Sequence, residues 1–315
     1  MGDWCTIESA PEVFSELIET IGCDNVEVEE VYDLSDEGFA RINAPLGLVL
    51  LFRWRASEYA MDTRSVTEAS SLPSLFFAKQ VVTNACATQA MLSILLNSPA
   101  ASLTDQLREF KEFTLCIDPQ TRGESIGACD WIRTAHNSFS PPEPFIAEKT
   151  TVAKDDSDVF HFVSLLPFND RVLELDGLKA GPIELGASGE EGWLSVARKE
   201  IARRIAGFNA GDLSFVVLAL VPSQLKTAQA QLAALDAAAA AGAQGVALRE
   251  QIAEAEAKRA ARSRDNARRR HNYVPFMMRL LQIAAERGEL KGMVEEAQTK
   301  ASSRREARQK AKGGT

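Results

Sequence analysis

Residues Phe76–Thr88 read FFAKQVVTNACAT and place one cysteine at the predicted start of an apolar helix. We predict this helix over Asn84–Leu96, with Asn84 as the N-cap residue, so that Cys86 lies in the first turn. Backbone N–H groups in the first turn are unpaired and point toward developing negative charge. Together with a nearby imidazolium, such a helix start lowers the pKa of a thiol, so the position favours a reactive thiolate.

Gln80 precedes Cys86 by six residues, at the end of the segment that leads into the helix. A side-chain amide at this point can donate a hydrogen bond to the oxyanion of a tetrahedral intermediate, beside the backbone N–H of Cys86. Alone, Gln80 is a weak indication of such a site. With Cys86 it predicts nucleophilic catalysis by a thiol.

The base that would activate Cys86 has to come from the three histidines of the chain. His161 lies in a strand-like segment that is followed by a second one, which makes it the candidate. We interpret His136 and His271 as structural residues.

The region around His161 is predicted to form a β-hairpin from the strands Val159–Leu165 and Val172–Asp176. If residues 168–169 form a two-residue loop, His161 lies directly opposite Asp176. Opposed residues have Cβ atoms about 5 Å apart, so the Asp176 carboxylate can hold the imidazole in one tautomer and orientation.

The cysteines are five, scattered, and without a C-x-x-C pair, so neither a disulfide framework nor a zinc site is predicted. The ordinary role of a lone cysteine is that of a small buried hydrophobic residue. From the residues alone, the alternative therefore stays open that Cys86 is a structural thiol and His161 an unrelated strand histidine. The remaining cysteines are Cys5, Cys23, Cys116 and Cys129.

The composition, 315 residues with 45% hydrophobic and 25% charged, is typical of a folded protein with one substantial core. The longest apolar runs, such as Gly47–Phe52 and Phe215–Val221, are far shorter than the roughly 20 residues of a membrane span, so we predict buried strands and no membrane partner. The first residues lack the basic and apolar regions of a signal peptide. We therefore expect a reducing, cytoplasmic and nuclear location.

Short helical and strand-like segments alternate over residues 1–222, which predicts a single α/β or α+β domain carrying the thiol site. A Pro-rich break and a loop over about residues 146–158 precede the strand of His161. The other helices are predicted at Glu12–Ile21, Leu103–Glu112, Cys129–Phe139 and Leu194–Ala206.

After Pro222 the sequence becomes rich in Ala, Leu, Gln, Glu and Arg, which predicts a helical or coiled-coil arm over residues 223–262. Two glycines indicate a flexible joint or a helix-to-helix turn at Asp236–Gly245. A C-terminal helical partner-binding domain over 263–315 follows, with a basic, disordered end. Its apolar residues suit either a partner helix or packing within the chain: Tyr273, Val274, Phe276, Met277, Leu280, Leu281 and Ile283.

Charge differs between these parts of the chain. Residues 1–222 carry 17 Lys and Arg against 34 Asp and Glu, whereas residues 223–315 carry 18 against 10. The first part suits a basic partner, and the second part suits an acidic one or is simply solvated. We do not expect nucleic acid to be the partner.

Several segments resemble the ubiquitin C-terminal hydrolases. Phe76–Thr88 resembles the nucleophile motif of that family, and Phe160–Val163 with Glu174–Leu178 resembles its His and Asp motifs. Trp4–Ile18 is similar to the family's beginning. Arg268–Leu281, RRRHNYVPFMMRLL, resembles the C-terminal segment of the longer, proteasome-associated L5-type members.

The resemblance implies a papain-like cysteine hydrolase fold, with a central antiparallel sheet flanked by helices and a C-terminal helical extension. It implies that Cys86 is the nucleophile, that His161 acts as base and then acid, that Asp176 orients His161, and that Gln80 stabilises the oxyanion. It also implies that the loop over about 146–158 crosses the active site. No metal or organic cofactor is expected.

The activity implied is that of a thiol hydrolase that cleaves after the C-terminal glycine of ubiquitin. The implied partners are ubiquitin conjugates, a proteasomal ubiquitin receptor bound through the C-terminal tail and, in some lineages, a chromatin-remodelling subunit. Two alternatives stay open: an autoinhibited ubiquitin-binding adaptor, and a hydrolase of a ubiquitin-like modifier.

Overall fold

The computed structural model describes residues 3–53, 62–140, 160–207 and 215–312. These residues form two compact units, one reaching to Arg270 and the other beginning at His271. The predicted domain boundaries, 1–222, 223–262 and 263–315, stay a prediction. The predicted crossing loop over about 146–158 lies outside the described residues.

A six-stranded antiparallel sheet forms the centre of the first unit, with the strand order β1-β6-β2-β3-β4-β5. The predicted class, an antiparallel sheet flanked by helices, is confirmed. The strands are β1 Val26–Glu30, β2 Gly47–Arg53, β3 Phe160–Phe168, β4 Arg171–Leu175, β5 Ile183–Ala187 and β6 Phe215–Pro222.

The central strands are apolar on both faces because helices cover both sides of the sheet. On β2, Val49 and Leu51 face one hydrophobic core, whereas Leu48 and Leu50 face the other. This alternation follows from the two-residue period of a strand. A strand such as Gly47–Arg53 therefore carries apolar residues on both faces.

Helices pack into the two cores from opposite sides of the sheet. The larger core takes residues from α1 (Pro11–Ile21), α3 (Cys86–Leu95), α4 (Asp105–Leu115), α5 (Pro119–Ala128) and α6 (Asp130–Asn137). The smaller core takes residues from α2 (Asp36–Ala40) and α7 (Trp193–Gly207). The helix that begins at Cys86 thus lies in the larger core, against β3.

The hairpin of β3 and β4 differs from the predicted one by one residue. Phe168 pairs with Arg171, so the two-residue loop is Asn169–Asp170. Both loop residues have positive φ, 48° and 58°, as a tight hairpin turn requires and as Asn and Asp tolerate. The prediction that His161 lies directly opposite Asp176 was wrong. The pairing ends at Ser164 and Leu175, and the same register continued would place Val163, not His161, opposite Asp176.

Three further helices complete the first unit: α8 (Gln224–Ala233), α9 (Ala237–Ala241) and α10 (Ala243–Arg270). The predicted joint, Asp236–Gly245, is occupied by α9 and the beginning of α10; its flexibility stays a prediction. Basic residues of α10 pair with acidic residues of α1: Arg259 and Arg262 with Glu19, and Arg270 with Glu16. Part of the basic charge is thus matched within the unit.

The second unit contains α11 (Val274–Glu286) and α12 (Leu290–Lys312), joined by a turn with Gly288 at φ +74°. The predicted disorder of the basic end was wrong up to Lys312, where α12 ends. Over the described parts of the chain, no helix is long and apolar enough to cross a bilayer.

Candidate active site

His161 and Asp176 form a buried hydrogen-bonded pair. The distance between His161 Nε2 and Asp176 Oδ1 is 2.8 Å, and the two residues are 4% and 2% exposed. Asp176 follows the last residue of β4, where the chain leaves the sheet, and its Oδ1 also accepts the backbone N–H of Leu178 at 2.9 Å. The pairing register would place Val163 beside Asp176, so His161 reaches the carboxylate as a diagonal neighbour.

The Asp176 contact assigns the tautomer of His161. A carboxylate only accepts hydrogen bonds, so Nε2 carries the proton that points to Asp176. Nδ1 is then the basic nitrogen of the neutral ring. An imidazole held in this way can take a proton at Nδ1 while the carboxylate stabilises the resulting positive charge.

Cys86 is the first residue of α3 and so lies in the first turn, as predicted, but Asn84 is not the N-cap. The N-cap is Ala85, which has no side-chain capping bond. Asn84 instead adopts a positive φ of 67°, and its Nδ2 donates to the backbone oxygen of Trp4 at 3.0 Å. Asn tolerates this left-handed conformation because its short polar side chain can bond locally. The bend before Cys86 is thus fixed from the N-terminal segment.

Cys86 is half-buried, and burial raises the pKa of its thiol above the ordinary value. The backbone N–H groups of Ala87 and Cys86 oppose this effect and lower the pKa, but burial dominates. The predicted lowering by the helix start together with a nearby imidazolium stays a prediction. A thiol whose pKa is raised by burial needs a base to remove its proton before it attacks.

Gln80 and Cys86 line the same small cavity, together with Phe162, Leu175 and Gly177. The backbone N–H of Gln80 donates to the oxygen of Gly177 at 2.8 Å. A Cβ at position 177 would lie 2.9 Å from the Gln80 nitrogen, so only glycine allows this approach. The segment of Gln80 and the loop after Asp176 are thus in direct contact.

Arg122, on α5, fixes the chain that leads to Gln80. This residue is 5% exposed, and burial lowers the pKa of its guanidinium. The group bonds to carbonyl oxygens, and it lies over the ring of Phe76 at 5.3 Å. The oxygens belong to Leu75, Phe77, Thr114, Leu115 and Ile117. Five carbonyl acceptors from two stretches of chain hold those stretches together.

A buried network of ion pairs forms around Glu174, two residues before Asp176. Glu174 of β4 is 0% exposed and is bound by Arg64 and by Arg204 of α7. The guanidinium of Arg204 also lies 5.3 Å from the ring of Phe52, and that ring meets His161 edge-to-face at 5.8 Å. Packing therefore restricts the imidazole from the side of β2.

The other two histidines make different contacts. His136 is fully buried: its Nδ1 lies 2.7 Å from Thr88 Oγ1 and its Nε2 lies 2.8 Å from the oxygen of Cys5. Burial lowers its pKa, so the ring is neutral and joins α6, α3 and the N-terminal segment. His271 packs edge-to-face on Tyr273 in the second unit.

Sequence reasoning missed Gln89, Arg122 and Gly177, and it gave Asn84 a different role. One signal was present for Gln89, since it is a large polar residue within the apolar helix of Cys86. The other two depend on contacts between distant segments, which spacing does not reveal. Within the described ranges, no cluster of three or more His, Cys, Asp or Glu residues could hold a metal ion.

Family models match two regions of the chain. Residues 4–206 match the model described as ubiquitin carboxyl-terminal hydrolase, family 1. Residues 247–290 match a second model, described as ubiquitin carboxyl-terminal hydrolases. The first match contains every candidate residue described above.

Curated relatives give the same result. Ubiquitin carboxyl-terminal hydrolase isozyme L5 of Dictyostelium discoideum is 41% identical over 233 residues, which cover 74% of this chain and 66% of the relative. Ubiquitin carboxyl-terminal hydrolase ubh-4 of Caenorhabditis elegans is 36% identical over 306 residues, 94% of this chain and 92% of the relative. The second alignment thus includes the C-terminal helices.

Among solved structures, the chain is similar to Trichinella spiralis UCH37 bound to ubiquitin vinyl methyl ester. The TM-score is 0.65 at 34% identity, and the match covers 83% of this chain and 100% of that one. The catalytic domain of the same protein, also bound to ubiquitin vinyl methyl ester, gives a TM-score of 0.61 at 36% identity over 70% of this chain.

Proposed function

The chain belongs to ubiquitin carboxyl-terminal hydrolase family 1 and is a cysteine-type deubiquitinating hydrolase; from this premise we propose that Cys86, His161, Asp176 and Gln80 are its catalytic residues. Cys86 is the nucleophile and His161 its base. Asp176 orients His161, and Gln80 stabilises the oxyanion. The observation that carries this assignment is the buried 2.8 Å bond between His161 Nε2 and Asp176 Oδ1.

The first half of the reaction transfers the ubiquitin acyl group to the enzyme. Because burial raises the pKa of the Cys86 thiol, His161 Nδ1 removes the thiol proton as the sulfur adds to the carbonyl of the C-terminal glycine of ubiquitin. The oxyanion accepts hydrogen bonds from Gln80 and from the backbone N–H of Cys86. His161 then gives the proton to the departing amine.

The second half regenerates the thiol. A water molecule loses a proton to His161 and adds to the thioester carbonyl, and Cys86 leaves as thiolate and is reprotonated. The Asp176 carboxylate stabilises the imidazolium in both halves. A side chain of the protein donates or accepts the proton in each of these steps.

Labelling with ubiquitin vinyl methyl ester tests the assignment. We expect the wild type to form a covalent adduct at Cys86 and the Cys86→Ala variant to form none. The exposed Cys116 gives a matched control, since Cys116→Ala should label like the wild type. Adduct formation that persists in Cys86→Ala would refute the nucleophile.

The same probe separates the two alternatives. A ubiquitin-binding adaptor without an open site would bind ubiquitin but not label, with or without a partner of the tail. A hydrolase of a ubiquitin-like modifier would label faster with that modifier's vinyl methyl ester than with ubiquitin's. Faster labelling by ubiquitin supports the deubiquitinating assignment.

We also propose that the C-terminal helices bind a proteasomal ubiquitin receptor and, as a second partner, a chromatin-remodelling subunit, which places the protein in cytoplasm and nucleus. The support is the similarity to the L5-type relative and the apolar surface of α11. Phe276, Met277, Leu280 and Leu281 of that helix are between 45% and 61% exposed. Exposed apolar residues at helical spacing suit a groove on a partner.

Binding to an isolated proteasomal ubiquitin receptor tests this partner. Leu280→Asp should weaken binding at least about tenfold, since it places a charge in an apolar contact. Gln282→Asp, which introduces the same carboxylate at an exposed polar position of α11, should bind like the wild type. Equal binding by both variants would exclude this surface.

A further inference from the structure

We propose that Gln89 is a positioning residue for the hydrolysis: from the helix of Cys86 it fixes the segment that carries Gln80 against the loop that follows Asp176. The inference rests on the proposed function of those three residues. Gln89 does not touch the reacting atoms in this account, and it acts through Gln80.

The first argument is the place of Gln89 on α3. Residues three apart on a helix share a face, so Gln89 lies one turn beyond Cys86 and lines the same cavity. Its residue exposure is 6%, among buried neighbours such as Ala90 and Met91. A buried primary amide destabilises the fold unless it is hydrogen-bonded, so the contacts of this side chain are a strong constraint.

The second argument is the bond that Gln89 makes. Its Nε2 donates to the backbone oxygen of Ala78 at 2.7 Å. Ala78 is two residues before Gln80, in a stretch without helix or strand, so no regular ladder fixes its carbonyl group. Gln89 therefore holds this stretch on one side, while Gly177 accepts the N–H of Gln80 on the other.

The third argument is the contact between Gln89 and Gly177. A Cβ at position 177 would lie 2.5 Å from Gln89 Nε2, so the amide packs directly on the glycine backbone. Gly177 is bonded in sequence to Asp176. One side chain thus contacts both the approach to Gln80 and the loop next to Asp176, from the helix that begins at Cys86.

This arrangement predicts an effect on the chemical step. An oxyanion donor stabilises the transition state only if it is held at the position where the negative charge develops, and a misplacement of about 1 Å costs on the order of 100-fold in rate. Because Gln89 is 6% exposed, we expect it to contribute little to the binding of ubiquitin. Its loss should therefore lower kcat and leave KM nearly unchanged.

Gln89→Met tests the inference, because methionine keeps the length of the side chain and removes the donor. With a ubiquitin substrate we expect kcat to fall about tenfold or more and KM to stay within about twofold. Gln89→Glu should lower kcat further, since a carboxylate faces the Ala78 oxygen without a proton to donate.

A double-mutant cycle with Gln80→Ala shows whether Gln89 acts through Gln80. In the Gln80→Ala background, Gln89→Met should lower kcat less than about twofold, because the group that it positions is gone. An equal loss of kcat in both backgrounds would overturn the proposal. So would a loss confined to KM.

Ser15→Ala serves as the matched control for simple destabilisation. Ser15 is 3% exposed and bonds α1 to β1 through Val28, far from Gln89 in the sequence and on other elements. At equal melting temperature, Ser15→Ala should retain wild-type kcat, whereas an equal loss in both variants would refute positioning. Wild-type labelling with ubiquitin vinyl methyl ester, absent in Cys86→Ala, tests the proposed function separately.

Discussion

Glu174 and Asp176 are buried carboxylates two residues apart in the chain, and they bind different partners. Glu174 is bound by the guanidinium groups of Arg64 and Arg204, whereas Asp176 is bound by the ring of His161. Glu174 is thus paired with two arginines, and the carboxylate of Asp176 orients the imidazole. We therefore expect substitution of Glu174 to affect stability and substitution of Asp176 to affect catalysis.

Asp176→Asn should lower kcat by roughly 100-fold or more and change KM little. The amide oxygen can still accept the Nε2 proton, but it no longer stabilises the imidazolium, and the amide can turn its NH₂ group toward the ring. Steady-state kinetics with a ubiquitin substrate measure this. Asp170→Asn, the same change in the turn of the same hairpin, should have wild-type kcat.

Glu174→Gln should lower the free energy of unfolding by about 3–5 kcal/mol, because it breaks a buried ion pair and leaves Arg64 and Arg204 without this charge partner. Chemical denaturation measures the difference. Glu184→Gln breaks an exposed pair with Arg171 and should cost about 0–1 kcal/mol. Similar losses in the two variants would contradict the assigned role of burial.

Cys86 should react slowly with iodoacetamide at neutral pH in the free protein. Because burial raises its pKa, the thiolate fraction and hence the alkylation rate should rise about tenfold per pH unit up to at least about pH 8. Mass spectrometry of the Cys86 peptide measures this, with the exposed Cys116 peptide as a reference for accessibility. A rate that levels off below about pH 7 would mean a preformed thiolate.

His136 should make the fold sensitive to mild acid. Burial lowers its pKa in the folded protein, so below the ordinary histidine value of about 6.5 the unfolded chain binds a proton that the folded chain does not. The destabilising effect of the buried histidine is therefore absent at high pH, and the free energy of unfolding decreases as the pH falls through this range. Acid adds a proton to Nδ1 and disrupts the bond from Thr88.

Thermal unfolding between pH 7 and pH 5 tests this effect. His136→Gln should be less stable than the wild type at pH 7 but should lose less stability on acidification. His271→Gln, the same change at an exposed histidine of the second unit, should follow the wild type. Parallel curves for the wild type and His136→Gln would exclude His136 as the cause.

The helices and strands with strong periodic patterns were predictable. The helix that begins at Cys86 and the strand at Gly47–Arg53 are close to their predicted bounds. Among the shorter elements, β1, β5, α2 and α5 were missed. β1, VEVEE, alternates apolar and charged residues as a half-buried strand does, but it has only five residues and three of them are Glu, which is uncommon in strands.

The sequence by itself determined the residue types of the site, the buried character of the central strands and the order of the segments that carry Cys86 and His161. These follow from local spacing and apolar periodicity. Only the tertiary structure decided the pairing register, the raised pKa of Cys86 and the contacts of Gln89 with Ala78 and Gly177. A register depends on one turn residue, and burial and cross-segment bonds depend on chain far away in sequence, so no local pattern contains them.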